Sequence, residues 1–521
     1  MSFIESELKL RLTDPAQATL LLEELQNLAA GFRGKSAWRE DHLQSTYYDT
    51  PSHQLLSAGL SYRLRQARGK VTATVKADGQ SDGGLHQRLE FNVGMDGATP
   101  DIAPFLSTQI GERLKGAVGS EELIPMFGSD VVRRTVNLAW RDGSEIEAAL
   151  DCGEILAGEK TESVCELELE LVKGSAKALL ELGAELALKF PLLIELESKL
   201  SRAVKLAKLS HYYPDERQRE PSAAEFKKET PLFGLSKITI FLLHSLLNTQ
   251  QEFLARHESV PQFHQLRISL RKLRSFFLLF KTVLPEEEFK RWQTALKNLW
   301  RHLGELRDWD ALLENWQKLE VSCLGCQQAQ EMAHPLPEVL KEERKKEALK
   351  VKAHLEKGES ASVFLGLWAY LLGQMEKDAD AGTAATLEKF AQDSLKKQVE
   401  ELQTFGDKIT VTDLREAHAL RIRVKKLRYT MHILEPVLPK GTPDFLEKLK
   451  VLQDNLGVIG ESELAFAKIN EILKPYSKRP LYYDAGLLTA SIAQTSQKAR
   501  KDFARLWRKA RKTSRKWLEK T

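Results

Sequence analysis

The chain opens on an alternation. In residues 4–10, Glu5, Glu7 and Lys9 fall on one side of an extended strand, and Ile4, Leu8 and Leu10 on the other. The pattern recurs. Residues 60–65 set Arg63 and Arg65 against Leu60, Tyr62 and Leu64, and residues 71–76 align Thr72, Thr74 and Lys76. Residues 87–93 set Arg88, Glu90 and Asn92 against Leu89, Phe91 and Val93. Around 132–136 the alternation is less clean, with Arg133 on the polar side and Arg134 facing away. Glu145, Glu147 and Asp151 share a face, and residues 165–171 oppose Glu166, Glu168 and Glu170 to Cys165 and three leucines. Between these strands the spacing predicts helices over 16–30, with Leu20, Leu21, Leu25 and Leu28 on the apolar side, and over 174–190.

Several polar faces sort by sign, some acidic and some basic. A solvated sheet has no use for that sorting. A closed antiparallel barrel does, with apolar faces packed outward against helices and polar faces lining a lumen. Two carboxylates ~7 Å apart on one strand can hold a divalent cation, and arginines and lysines on facing strands can hold phosphate oxygens. Each buried charge then has a partner.

The second half reads differently. The proline-bracketed polar stretch 214–221 suits a linker, and after it Leu, Ala, Glu, Lys and Arg in helical spacing replace the alternation. His264, Arg267, Arg271, Lys272 and Arg274 recur 154 positions later as His418, Arg421, Lys425, Lys426 and Arg428. Leu303-Gly304 is echoed at Leu456-Gly457. The pattern predicts two copies of one helical unit about a pseudo-two-fold axis. In each copy the His and cations form a stripe opposite the apolar one, without an acid between them. Two such stripes brought together would make a cationic groove for a polyanion.

Composition narrows this little. The 521 residues suggest more than one domain, the 42 % hydrophobic content supports a large core, and a net charge of +4 leaves polyanion binding to local clusters. Four cysteines are too few for a disulfide scaffold, and Cys323-x-x-Cys326 has no second ligand pair beside it, so reduced thiols are expected. No signal peptide and no run long enough to cross a membrane are expected. The basic C-terminal stretch carries only two scattered tryptophans, Trp507 and Trp517, which argues against nucleic acid.

The ordered set Glu5-x-Glu7-x-Lys9, Tyr62-Arg63-Leu64-Arg65, Thr74-Val75-Lys76, 83–90 and 165–171 resembles the CYTH group of triphosphate tunnel metalloenzymes, closest to bacterial inorganic triphosphatases with a second, CHAD-type domain. The His-x-x-Arg-x-x-x-Arg/Lys-Lys-x-Arg pattern, with 303–310 downstream, resembles CHAD domains; Leu456-Gly457 lacks the Arg-Asp pair that follows Leu303-Gly304. The resemblance implies a barrel domain over 1–211, a linker over 212–224 and a helical tandem-repeat domain over 225–521. It implies hydrolysis of tripolyphosphate to pyrophosphate and phosphate with Mg²⁺ or Mn²⁺. Glu5, Glu7, Glu166 and Glu168 would hold metal, with Glu90 and Glu170 as further candidates and Asp151 and Lys9 completing the catalytic set. Arg63, Arg65, Lys76, Arg133, Lys199 and Arg202 would bind phosphate. The two helical stripes would bind long-chain polyphosphate. A cytoplasmic protein, associated with polyphosphate granules through its second domain, is the corresponding expectation. The same tunnel could serve thiamine triphosphate hydrolysis or adenylate cyclisation, with Trp38, Tyr47 and Tyr48 as an aromatic mouth. A non-catalytic polyphosphate binder and a helical scaffold that docks a protein are the other readings.

Overall fold

A computed structural model describes residues 3–29, 38–212, 221–323, 334–378, 385–475 and 479–521. The chain divides into two compact units, Met1–Arg219 with Leu355–Gly373, and Glu220–His354 with Gln374–Thr521. The stretch 213–220, Cys326 and the side chain of Cys323 lie outside the described residues.

The first unit is built on nine strands: β1 (Phe3–Leu12), β2 (Arg39–Asp49), β3 (Ser61–Ala67), β4 (Lys70–Asp82), β5 (Leu85–Met95), β6 (Ile124–Ala139), β7 (Glu145–Ala157), β8 (Lys160–Lys173) and β9 (Leu192–Ile194). They pair in the order β5-β4-β3-β2-β6-β7-β8-β1-β9, and β5 also pairs with β1. That last pairing closes eight antiparallel strands into the barrel that the alternation predicts, leaving β9 as a short flap on the end of β1.

The outward residues form the core. Tyr62, Leu64, Ala73, Val75 and Phe91 pack beneath Phe105, Ile110 and Leu114, the last from the helix Gly111–Val118. Burying a side chain of this size contributes about 1.5–3 kcal/mol. Leu8 and Leu10 are fully buried under the helix Ala176–Lys189. Gly183 makes that approach possible, since a Cβ there would lie 2.6 Å from Leu8 and 3.1 Å from Leu365. Leu365 comes from the helix Glu359–Asp378, far along the chain in sequence. Its segment is fastened to the barrel unit at Thr13, whose hydroxyl bonds the carbonyls of Pro191 and Glu356 at 3.1 and 3.0 Å. Gly358 has a positive φ of 87°, and a Cβ there would meet the Ala187 carbonyl at 2.4 Å.

Two expectations need correction. The first helix is Ala18–Ala29, because Asp14 and Pro15 set a short 3₁₀ turn ahead of it, and its Leu20 is exposed. A 25-residue helix, Pro231–Ala255, is long and apolar enough to cross a membrane. It lies in the second unit, where Leu235, Ile238, Leu242 and Leu246 are buried together with the polar Ser236, Thr239 and His244. Its apolar length reflects a core position with neighbours on most sides.

The second unit is helical. The two related stripes lie on Val260–Phe277 and Leu414–Leu434, and these helices pack on each other. Thr430 donates to the Ser275 carbonyl at 3.3 Å, and Arg271 Nη1 lies 3.4 Å from the Tyr429 hydroxyl. In the C-terminal helix Arg479–Leu518, both tryptophans are used by the fold. Trp517 is buried and donates to Thr442 at 2.9 Å, and Trp507 donates to Asp407 at 3.0 Å.

Candidate active site

Cross-strand register decides which charges meet inside the barrel. Glu7 lies opposite His86 on β5 and Glu170 on β8, and Lys9 opposite Glu168. Lys76 lies opposite Glu90, Arg63 opposite Tyr47, Arg65 opposite Ser45, and Arg133 opposite Asp151. Because opposite residues share a face, most of these side chains converge on one cavity of about 300 Å³ lined by Glu5, Glu7, Lys9, Arg63, Arg65, Lys76, Arg88, Glu90, Arg133, Glu168, Glu170 and Lys199.

Three charge groups line or back this cavity. The first is Asp151, Glu166 and Glu168, which each offer a carboxylate oxygen within 4.8 Å of the others. Lys199 reaches all three, at 2.8 Å from Asp151, 3.0 Å from Glu168 and closer still to Glu166. Lys199 starts the short helix Lys199–Leu206, whose Ser198 cap accepts from the Ser201 N–H. Arg133 grips Asp151 with two bonds of 2.7 and 2.8 Å and also touches Glu168. Lys9 lies 3.1 Å from Glu168, and Arg202 lies 3.0 Å from Glu166. Burial alone would raise the Glu168 carboxyl, but Lys199, Lys9 and Arg133 together hold it well below the usual range. Four cations thus surround three acids.

The second group, Glu5, Glu7, Glu90 and Glu170, is short of positive charge. Lys76 serves both Glu5 at 2.5 Å and Glu90 at 2.6 Å, and Glu7 shares Lys9 at 3.1 Å. Among the described residues, no cation pairs with Glu170. Burial, reinforced by Glu147, Glu7 and Glu90, pushes it up to about 7. Burial also pushes Glu5 up to about 8, with Lys76 opposing and Glu7 adding.

The third group is the reverse. Among the described residues, Arg63 and Arg65 have no carboxylate partner; they bond Thr74 at 3.4 Å and Ser45 at 3.2 Å. Burial, then repulsion from Arg63 and Arg133, pushes the Arg65 guanidinium down to about 9.

The sequence-derived residues therefore separate. Glu5, Glu7, Lys9, Arg63, Arg65, Lys76, Glu90, Arg133, Glu168, Glu170 and Lys199 line the cavity. Asp151 and Glu166 are fully buried behind it. Arg202 is not on the wall either: its guanidinium is consumed by Glu162, Glu166 and the Ser163 carbonyl. Arg134 faces outward to Glu40 at 2.8 Å. His86, within the Gly-rich stretch 83–90, is buried beside Glu7 and held neutral, pushed down to about 3 by burial and then by Lys9 and Arg88. Of the aromatic residues, Tyr47 lines the cavity, while Trp38 donates to Gln26 and Tyr48 packs edge-on to Tyr62.

In the helical unit the stripes are less exposed than a solvated face. His264 and His418 are exposed, Arg271, Lys272, Arg274, Arg421, Lys425 and Arg428 are half-buried, Lys426 is exposed, and Arg267 is buried. Burial, then Arg271 and Arg307, pushes Arg267 down to about 9. Gly457 leaves room for Arg421, since a Cβ there would sit 3.0 Å from its Nη2. Arg307 pairs with Glu314 at 2.8 Å.

Residues 4–204 match the CYTH domain, and residues 242–467 match the CHAD domain. The chain carries a CYTH domain followed by a CHAD domain. A curated relative, the inorganic triphosphatase of Haemophilus influenzae, is 34 % identical over 161 residues, 31 % of this chain. The match spans 44 % of that protein's length, less than half. Among solved structures, a Hippeastrum protein described by its dominant triphosphatase activity is 22 % identical with a TM-score of 0.29, covering 41 % of this chain and 100 % of its own. The CHAD domain of the plant Ricinus communis is 19 % identical with a TM-score of 0.42, covering 56 % and 96 %. Likenesses that remote do not bear on the chemistry of the CYTH cavity or the CHAD stripes.

Proposed function

We propose that the CYTH domain hydrolyses inorganic tripolyphosphate to pyrophosphate and phosphate, and that the CHAD domain holds polyphosphate. The observation that carries the first half is the uneven matching of charge in one cavity. The acids Glu5, Glu7, Glu90 and Glu170 outnumber their cations, since Glu5 and Glu90 share Lys76, Glu7 shares Lys9 with Glu168, and Glu170 pairs with none among the described residues, while Arg63 and Arg65 form no ion pair with a carboxylate there. A divalent cation bound to a short polyphosphate supplies both. The all-oxygen donor set fits Mg²⁺ or Mn²⁺, and Glu170, half-buried with no cation paired to it among the described residues, is the strongest sign of that fit. Glu5, Glu7, Glu90 and Glu170 would hold the metal, which supplies charge neutralisation at the phosphates and polarises a water for attack. Glu168 would hold less of it, since Lys9, Lys199 and Arg133 already neutralise it. Arg63 and Arg65 would bind phosphate oxygens and stabilise the charge that develops in the transition state. A phosphate-release panel of tripolyphosphate, ATP, thiamine triphosphate and long polyphosphate, with each metal, tests the proposal. Tripolyphosphate should be turned over fastest, and preference for an organic triphosphate would overturn it.

Metal affinity should depend on pH. Glu170 and Glu5 keep their protons up to about 7 and about 8, and a cation must displace them. Mn²⁺ affinity, measured by chelator competition, should therefore rise steeply between pH 6 and 8. Between the ordinary histidine range and these raised values, the folded metal-free protein holds protons on Glu5 and Glu170 that the unfolded chain has lost. Its thermal midpoint should fall as pH rises through that window, and added metal should restore it.

Two arginines should behave oppositely. Arg65→Ala is expected to raise KM for tripolyphosphate by about 10-fold with little change in stability, because Arg65 is repelled by its neighbours. Arg202→Ala should cost about 2–4 kcal/mol in urea unfolding by leaving buried Glu166 with Lys199 as its one remaining paired cation among the described residues, with KM nearly unchanged.

For the CHAD domain, the support is the convergence of two cation stripes at one helix pair. In the full chain, Arg271→Glu with Arg421→Glu should weaken long-polyphosphate binding at least about 10-fold and flatten its salt dependence. Tripolyphosphate turnover should be unchanged. Binding that keeps its salt dependence would favour a protein-docking role. Recruitment of the cytoplasmic enzyme to polyphosphate granules would follow from this binding.

A further inference from the structure

The rung next to the buried acids carries two thiols. On β7 and β8, Asp151 lies opposite Glu166, and Cys152 lies opposite Cys165. Strand alternation turns the acids into the lumen and the sulfurs to the outer wall. Both cysteines are free, and their Sγ atoms are 3.2 Å apart. Opposite residues in an antiparallel ladder have Cα atoms ~4.5 or ~5.5 Å apart, and both values lie within the ~4.4–6.8 Å that a disulfide spans. Bond formation needs the sulfurs to close to ~2.05 Å and needs no sliding of the strands. Exposure differs in a useful way: Cys152 is partly exposed and Cys165 is buried, so an oxidant from solvent meets one sulfur first and the second lies behind it.

We propose that Cys152 and Cys165 are a redox-modification site, forming a reversible intramolecular disulfide when the protein meets a hydroperoxide. The Cys152 sulfur attacks the outer oxygen of the peroxide, the O–O bond breaks, and an alcohol (water, for hydrogen peroxide) leaves with the thiol proton. Cys152 is then a sulfenic acid. The Cys165 sulfur attacks it, the S–O bond breaks, and water leaves with the second thiol proton. Two thiols and one peroxide give one disulfide, one alcohol and one water; the sulfurs lose two electrons and the peroxide gains them. A dithiol reductant reverses the change by exchange. Neither sulfur faces the tunnel, so the site is separate from the triphosphatase reading and stands without it.

The test uses the full chain with Cys323→Ser and Cys326→Ser, so that only this pair can respond. Brief treatment with hydrogen peroxide should lower the intact mass by ~2 Da, abolish maleimide labelling of both thiols, and give a cross-linked 152–165 peptide. Dithiothreitol should restore both thiols. Adding Cys165→Ser should stop the reaction at a sulfenic acid on Cys152, seen as a gain of ~16 Da that dimedone traps. Oxygen uptake without cross-linking when both cysteines are present would overturn the proposal, as would two thiols that stay labelled throughout.

Discussion

Replacing Lys199 with methionine is expected to destabilise the CYTH barrel by about 3–5 kcal/mol, the cost of leaving buried carboxylates without their shared cation. Methionine keeps most of the aliphatic bulk, so the loss reports charge and not volume. Lys199 is 6 % exposed and contacts Asp151, Glu166 and Glu168. Arg133 and Arg202 still hold Asp151 and Glu166, which keeps the cost from being larger. Urea unfolding of the full chain measures it. The stranded acids take up protons more readily in the variant, so its deficit should shrink as pH falls from 7 toward 5. A variant within about 1 kcal/mol of the parent at pH 7 would mean that the three acids are not held in the charged state.

The second large effect is on turnover. Glu7→Gln removes one charge from the acid group that is short of cations and keeps the side-chain shape. Lys9 retains Glu168 at 3.1 Å after the change, so the barrel should fold. Tripolyphosphate hydrolysis is expected to fall about 10²–10³-fold, the loss typical of removing one electrostatic contact to a transition state. It should stay low at saturating Mg²⁺ or Mn²⁺. Activity within twofold of the parent, with unfolding unchanged, would remove Glu7 from the metal group.

The barrel was readable because period two is a strong signal and its direction is unambiguous. Once Leu8 and Leu10 face a core, Glu5, Glu7 and Lys9 must face the other way. What alternation cannot supply is register between strands distant in sequence, and register decides who neutralises whom. Asp151 meets Arg133 because β6 and β7 pair at that rung, and Glu168 meets Lys9 because β1 and β8 do. Arg202 carries the residue type of a phosphate ligand, and only its position behind Glu166 shows that its charge is already used. His86 was hidden by its Gly-rich neighbours, which suggest a turn where the chain has already entered β5. In the helical half, the 154-residue offset predicts which two stripes are related. It does not predict that Arg267 is buried, because burial depends on the helices packed over it.

Thr13, Gly183 and Gly358 fasten a stretch from beyond residue 350 to the strand that carries Glu5 and Glu7. The family boundaries are therefore poor places to cut the gene. A truncation between the two family matches would strip the barrel unit of the 355–373 segment that belongs to it, along with Leu365, which packs at Gly183. Two genes could be joined end to end to make a protein of this composition, but unjoining them would take more than a single stop codon.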